Sequence, residues 1–380
     1  MAKKTAIGAY GEWAAGLAED PPALSFRRDE FKSIAPWRKK ALAKAMELLA
    51  PPPKPALAKP RVVARNEFDG LEAELLSWRL PWGPPAEAVF LKPAGAKGKL
   101  PGMLALHDHG GFKYYGWQKI ADASPEVHPL VVEHRERAYG GVAWANELAK
   151  RGWAVLCNDV FAFGSRRVRY ADVIDEAAGG RKDPAEADSE GIRAYNEWCG
   201  DHEHIMAKSL FSAGTTWPGV FWREDQAALR YLLSRPEVDA SKVACGGLSG
   251  GGLRTVYLAG LDHRVKACVS VGFMSTWRDF LLEKCKNHTW MVYTPRLPNF
   301  LDFPDLLSLR APLPALVQSC TEDPLYTMPE MKRADRILKA VYGKAGAPEN
   351  YRTFFYPGGH KFDLEMQQVA FEWLEERLRI

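Results

Sequence analysis

One glycine-rich stretch constrains the fold of this 380-residue chain more than any other: residues 245–252, Cys-Gly-Gly-Leu-Ser-Gly-Gly-Gly. It follows an apolar run at 243–245 and precedes a helix-like run at 253–261. Gly247, Ser249 and Gly251 form a G-x-S-x-G pattern, which is typical of a sharp turn from a strand into a helix. Glycine suits both flanking positions because strand and helix nearly touch there. The stretch therefore predicts a serine displayed above a sheet, with an ordinary glycine-rich turn as the alternative.

The rest of the chain supplies the strands and helices that such a turn needs. Residues 61–68, 71–80 and 86–91 are typical of antiparallel strands. Beyond residue 100, strands predicted at 101–107, 153–159, 243–245, 265–271, 315–319 and 351–356 are interspersed with helices at 141–151, 224–234, 253–261, 328–342 and 363–377. This alternation predicts an α/β domain over 61–380, built on a mostly parallel sheet with helices on both faces.

Three segments do not fit the alternation. Residues 1–60 are predicted to form an N-terminal helical arm, with one helix over 31–49, and a proline-rich linker. The arm either packs on the main domain, covers the rim of the site or serves as a dimer contact, so a homo-oligomer stays open. Insertions at about 161–219 and 274–310 are too long for structureless loops, and we expect them to be lids or binding insertions.

Composition argues against several classes of partner. The net charge is only +4 and no polybasic stripe stands out, so nucleic-acid binding has little support. No apolar stretch approaches the roughly 20 residues that span a membrane. The six cysteines are scattered without a C-x-x-C pair, which favours free thiols and a cytoplasmic location. No nucleotide-binding motif occurs, and no cofactor is expected.

Two residues after later strands have the right order to activate Ser249. A serine hydroxyl needs a base to take its proton, and the order nucleophile, acid, histidine is a known arrangement on α/β sheets. Asp323 follows the strand at 315–319, and His360 follows the strand at 351–356. Asp323 is also a common residue at a turn or cap, Glu322 and Asp279 are alternative acids, and His360 is alternatively a surface turn residue.

The early strand at 101–107 ends in His-Asp-His-Gly-Gly at 107–111. Such a loop contributes a backbone N–H to an oxyanion hole, which predicts donors at Gly110 and Gly111 beside Gly250. A metal site is the competing interpretation, because His107 and His109 could point the same way and the segment 201–204 carries another histidine pair. Neither pair has a full ligand set at a recognised spacing, so no metal is expected.

From about residue 101 onward, the chain resembles α/β-hydrolases of the dienelactone-hydrolase-like and acetyl xylan esterase-like group. The resemblance is carried by 107–111, Asp159 with 163–167, 247–252, 321–324 and 358–360. It implies hydrolysis of a carboxylic ester, with Ser249, Asp323 and His360 as the catalytic triad. Dienelactone hydrolase itself uses a cysteine nucleophile, and this departure argues against dienelactone as the substrate. The N-terminal arm lies outside the resemblance.

The substrate pocket is the least determined part. Pocket candidates near the predicted loops are His109, Phe112, Tyr115, Trp117, Trp217 and Trp277. An aromatic cleft suits a sugar ring, an aryl ester or an acyl chain, although dense aromatics are also often core. The arginines at 166, 167 and 169 are candidates for a substrate carboxylate or a solvated face. The leading hypothesis is a serine hydrolase that cleaves a small-molecule ester through an acyl-enzyme; a serine peptidase and a non-catalytic binding protein are the alternatives.

Overall fold

A nine-stranded sheet forms the centre of residues 4–380, the part of the chain that the computed structural model describes. Its spatial order is β1-β2-β3-β5-β4-β6-β7-β8-β9. The strands are β1 Arg61–Phe68, β2 Leu71–Trp78, β3 Ala86–Pro93, β4 Leu100–Ala105, β5 Ala154–Asn158, β6 Val238–Leu248, β7 Ala267–Val271, β8 Ala315–Cys320 and β9 Tyr351–Tyr356.

The strand directions agree with the sequence prediction. β1, β2 and β3 pair antiparallel, and β3 joins the rest of the sheet antiparallel to β5. Every pairing among β4 to β9 is parallel. Short turns suffice for the antiparallel strands, and Asp69 and Gly70 both adopt positive φ between β1 and β2. The parallel strands need crossover segments, which the helices supply.

The helices cover both faces of the sheet. They are α1 Gly11–Gly16, α2 Ile34–Leu49, α3 Pro129–Tyr139, α4 Trp144–Lys150, α5 Asp175–Ala178, α6 Ser189–Asp201, α7 Glu203–Ser212, α8 Trp217–Ser234, α9 Gly250–Leu261, α10 Trp277–Leu282, α11 Phe303–Ser308, α12 Met328–Lys344 and α13 Leu364–Leu378. Alternate strand residues point to opposite faces, so Phe90 joins the core under α8, α9 and α12, whereas Val89 joins the core under α4 and α13.

The largest departures from the predicted helices are at α8 and α3. Helix α8 begins at Trp217, seven residues before the predicted start at 224, because the Thr216 side chain caps it and Pro218 occupies its first turn. Helix α3 was not predicted at all. Its sequence carries charges along 133–137 and has a weak apolar stripe, while His128 caps it and Pro129 begins it.

The two insertions carry structure of their own. Residues 161–219 contain α5, α6, α7 and the start of α8, and residues 274–310 contain α10 and α11 with short 3-10 turns. In the arm, helix α2 packs on the main core through Trp37, Ala41 and Ala45. Over residues 4–380 the cysteines are free thiols, and no helix is both long and apolar enough to cross a bilayer.

Candidate active site

Ser249 lies at the turn between β6 and α9, in a backbone conformation that non-glycine residues avoid. Its φ is 58° and its ψ is −115°. Two hydrogen bonds hold the turn: the Ser249 N–H donates to Val271 O at 2.7 Å, and the Leu253 N–H donates to Ser249 O at 2.8 Å. The strain places the hydroxyl above the sheet at the start of a helix, where unpaired N–H groups and the helix dipole favour negative charge.

The glycines around Ser249 are required by the backbone that directly follows β4. A Cβ on Gly247 would lie 2.0 Å from Leu106 O, and a Cβ on Gly251 would lie 2.1 Å from the same oxygen. No side chain fits at such distances, because the obstacle is backbone. The G-x-S-x-G pattern predicts that side chains would collide at both glycines, and one carbonyl, Leu106 O, is the obstacle at both.

His360 and Asp323 form a close pair beside this turn. His360 Nδ1 lies 2.6 Å from Asp323 Oδ2, and the other carboxylate oxygen accepts the Leu325 N–H at 3.0 Å. Asp323 is buried and His360 is half-buried. His360 Nε2 is buried and, among residues 4–380, has no hydrogen-bond partner. Ser249 and His360 line the same cavity.

Gly272, which the sequence interpretation missed, makes room for this histidine. Its φ is +57°, and a Cβ there would lie 3.0 Å from His360 Cε1. The alternative acids are placed elsewhere. The Asp279 carboxylate accepts from Ser275 Oγ at 2.7 Å and from the Thr327 N–H at 2.9 Å. Glu322 is exposed, and the structure pairs Asp323 with the histidine.

Buried cations hold the carbonyl groups of the loop that follows β4, residues 107–112. Lys119 is fully buried, and its ammonium donates to Asp108 O and, at 3.2 Å, to His109 O and Phe112 O. Arg254 of α9 donates to His107 O at 3.1 Å. Burial lowers the pKa of Lys119 to about 8, while the neighbouring Asp108 opposes that shift. These contacts fix the carbonyls on one side of the loop and thereby fix the directions of its N–H groups.

The backbone N–H groups of the loop after β4 are not all free to donate, although the sequence predicts donors at Gly110 and Gly111. The Gly111 N–H donates to His109 Nδ1 at 3.0 Å and is therefore engaged. The His109 backbone nitrogen lies next to the start of α9, 2.7 Å from the position that a Cβ on Gly250 would take. The Gly250 N–H is the first of α9 and has no acceptor within the helix. Gly250, the backbone nitrogen of His109 and Gly110 are thus the candidate donors in the cavity that Ser249 lines.

Glu203, at the start of α7, is the site residue that sequence reasoning missed. Its Oε1 lies 2.6 Å from His109 Nε2 and 2.5 Å from Lys113 Nζ. Its Oε2 accepts from Thr289 Oγ1 at 2.6 Å and from the Trp290 N–H at 2.9 Å. Burial would raise the pKa of Glu203, but the charge and hydrogen bonds of His109 and Lys113 outweigh it and lower the pKa well below its ordinary value.

The cavity above Ser249 encloses about 630 Å³, within the range of small-molecule sites. The second insertion and the segment after β8 supply much of its wall. Its lining besides the residues above includes Arg137, Leu253, Phe273, Asn287, His288, Met291, Val292, Leu325 and Tyr326. Burial lowers the pKa of His288 to about 4.

Most of the predicted pocket aromatics lie outside this cavity. His109 lines it, but Phe112 lines a neighbouring cleft, and Tyr115 and Trp117 line another. Trp217 is fully buried and donates to Phe161 O at 3.1 Å, and Trp277 stacks on Phe303 with ring centroids 4.2 Å apart. The rings of Trp217 and Trp277 pack into the core instead of lining the cavity.

The arginines considered for binding a substrate carboxylate, and a histidine considered as a metal ligand, contact other protein groups. Arg166 forms a buried ion pair with Glu224, and Arg169 pairs with Asp172 at 2.7 Å on the surface. Arg167 covers the Tyr114 ring at 4.5 Å. His202 stacks on Trp198. Within residues 4–380 no group of three or more histidine, cysteine or acidic residues is arranged to hold a metal ion.

Comparisons with known proteins give related folds. "Putative hydrolase YtaP" of Bacillus subtilis is 26% identical over 296 residues, which is 77% of this chain and 84% of that protein. The crystal structure of a "putative acetyl xylan esterase" from Bacteroides fragilis superposes with a TM-score of 0.68 at 19% identity, over 92% of this chain and 82% of that one. A glucuronoyl esterase from Solibacter usitatus superposes with a TM-score of 0.58 at 14% identity, over 90% of this chain and 92% of that one. No family model matches the chain.

The chain therefore has the α/β-hydrolase fold. Its mixed sheet, parallel from β4 onward, has helices on both faces, and it superposes on these structures over at least 90% of its length. The resemblance to acetyl xylan esterase-like proteins, first noted in the loop sequences, is confirmed by the structural neighbours at the level of the fold.

Proposed function

We propose that this protein hydrolyses a carboxylic ester through an acyl-enzyme on Ser249. The observation that carries the proposal is the His360–Asp323 pair at 2.6 Å, whose free Nε2 is buried in the cavity that also exposes Ser249. This is the arrangement by which a carboxylate orients an imidazole and stabilises its charged form. The esterase names of the structural neighbours support the choice of an ester over other acyl compounds.

In the proposed reaction His360 Nε2 takes the proton of Ser249 Oγ as the oxygen attacks the ester carbonyl. The carbonyl oxygen becomes an oxyanion, which the N–H groups of Gly250 and the loop residue His109 or Gly110 stabilise. Collapse of this intermediate expels the alcohol, which takes the proton from His360. Water then attacks the acyl-enzyme with His360 again as the base, and the acid leaves.

The cavity favours a compact substrate with both polar and apolar groups. Apolar side chains such as Phe273 and Met291 share its wall with the polar side chains of Asn287, Thr289 and Arg137. A volume of about 630 Å³ accommodates one or two sugar rings carrying an ester. We therefore put acetylated sugars and uronate esters first among the substrates to test, as the neighbours named acetyl xylan esterase and glucuronoyl esterase suggest.

A substrate panel tests the proposal. Short acyl p-nitrophenyl esters, acetylated xylo-oligosaccharides, glucuronate methyl esters and aminoacyl amides are compared with wild type and Ser249→Ala. We expect ester turnover by the wild type and a loss of at least about 10⁴-fold in kcat on substitution. Faster cleavage of amides than of esters would favour a peptidase, and no turnover of any compound would favour a binding protein.

A further inference from the structure

We propose that Glu203 is a positioning residue for the oxyanion loop, and that it acts through His109. This inference deepens the proposed function and rests on it. Glu203 belongs to the first insertion, His109 to the loop after β4, and Thr289 to the second insertion. One buried carboxylate thus joins three segments that are far apart in the chain, and it lines the same cavity as Ser249.

The hydrogen-bond chain from Glu203 determines the protonation of the His109 ring. His109 Nδ1 accepts the Gly111 N–H at 3.0 Å, so the proton of the neutral ring resides on Nε2, which lies 2.6 Å from Glu203 Oε1 and 3.0 Å from Lys113 Nζ. The Nε2–H and the Lys113 ammonium are both donors, so the Glu203 carboxylate is the acceptor for each. A ring that turned or carried its proton on Nδ1 would lose the contact with Gly111. Glu203 therefore fixes both the tautomer and the orientation of the side chain whose own backbone N–H lies beside Gly250.

The other contacts of the carboxylate make this arrangement rigid. Lys113 is fully buried 2.5 Å from Oε1 and balances the charge that burial would otherwise penalise. Oε2 receives Thr289 Oγ1 and the Trp290 N–H, which latch the second insertion to the first. Each oxygen of the Glu203 carboxylate accepts from two donors, so the loop at 107–112 has little freedom to move. Small displacements of oxyanion donors reduce reaction rates strongly.

The test compares Glu203→Gln with Glu190→Gln, which makes the same change at an exposed position in the first insertion. An amide cannot accept from both pairs of donors, so it misorients His109. We expect Glu203→Gln to lower kcat about 10- to 100-fold, somewhat less than loss of an oxyanion donor outright, with KM changed less than about threefold. Glu190→Gln keeps the wild-type kcat. A folded Glu203→Gln protein with wild-type kcat would overturn the proposal.

A double-mutant cycle separates positioning from general support of the fold. If Glu203 acts through His109, His109→Asn alone lowers kcat by a factor similar to that of Glu203→Gln. The kcat of the double variant then lies within about threefold of the kcat of the slower single variant. Losses that multiply would overturn the route through His109. If Glu203→Gln fails to fold, His109→Asn alone provides the test. A folded His109→Asn protein with wild-type kcat would overturn the proposal.

Hydrogen exchange gives a readout that does not depend on turnover. The Trp290 amide donates to Glu203, so its exchange should accelerate at least about tenfold in Glu203→Gln and remain unchanged in Glu190→Gln. Unchanged exchange would contradict the latch. Absence of ester turnover by the wild type would instead count against the proposed function, while the exchange result would still test the contact.

Discussion

His360 Nδ1 and Asp323 Oδ2 lie 2.6 Å apart, and this contact fixes the ring proton on Nδ1 and leaves Nε2 free to accept a proton. Asp323→Asn keeps the size of the side chain but favours the wrong tautomer of His360. We expect kcat for ester hydrolysis to fall about 10⁴-fold. Steady-state kinetics check this, with the exposed neighbour Glu322→Gln as the matched control. Equal losses of kcat in Asp323→Asn and Glu322→Gln would contradict the assignment of Asp323 as the acid that orients His360.

Replacing Ser249 with glycine should remove activity and leave the protein more stable than replacing it with alanine does. The serine φ of 58° and ψ of −115° are strained, and such a conformation costs roughly 1–3 kcal/mol. Glycine relieves the strain but orders a more flexible chain, which offsets roughly 0.5–1 kcal/mol. Urea unfolding should therefore show Ser249→Gly about 1 kcal/mol more stable than Ser249→Ala. A less stable glycine variant would mean that the turn is not strained.

Gly251 should not tolerate even a methyl group. Its Cβ would lie 2.1 Å from Leu106 O, which belongs to the backbone of the neighbouring segment. We expect Gly251→Ala to lower the free energy of unfolding by at least about 2 kcal/mol. Gly343 in α12 is the matched control, because nothing lies within 4 Å of its Cβ position, and alanine there should stabilise the helix by about 0.5–1 kcal/mol. Similar effects at both sites would contradict the close approach.

The stabilisation from Glu203 should depend on pH. Its pKa is held below the ordinary value of 4.5, because His109 and Lys113 outweigh the effect of burial. A depressed pKa stabilises the folded state fully above the unfolded value and progressively less as pH falls through the folded value. Urea unfolding at pH 7 should show Glu203→Gln about 3–5 kcal/mol less stable than wild type, with a difference that shrinks below pH 4.5. A difference that grows toward acid would contradict the sign of the shift.

The candidate residues that lie near one another in the structure are those that follow a strand. Ser249, Asp323 and His360 each follow a recognisable apolar strand, and parallel strands deliver their carboxyl ends to one edge of the sheet. The glycine pattern needed only local sterics, whereas β6 begins at Val238, before the apolar run at 243–245 from which the strand was predicted. The parallel sheet and most helices of the main domain were predicted correctly.

The cavity wall could not be predicted because tertiary packing decides which side chains face it. The tryptophans at 217 and 277 have the ring type that binds sugars, yet both are buried in the core. Glu203 looked like one more polar residue of an insertion, in the segment 201–204. Its four donors come from positions as distant as His109 and Thr289, so no local pattern marks it. A lone acid between two histidines was the only signal in the sequence.

The most direct test of the central claim is covalent labelling with a fluorophosphonate, read by mass spectrometry of the intact protein and its peptides. The account predicts one adduct per chain, on the peptide that contains Ser249, and none in Ser249→Ala. Labelling should also slow strongly in Asp323→Asn, because His360 would lose its orientation. An adduct that persists in Ser249→Ala, or that maps to another residue, would contradict the assignment of Ser249 as the nucleophile.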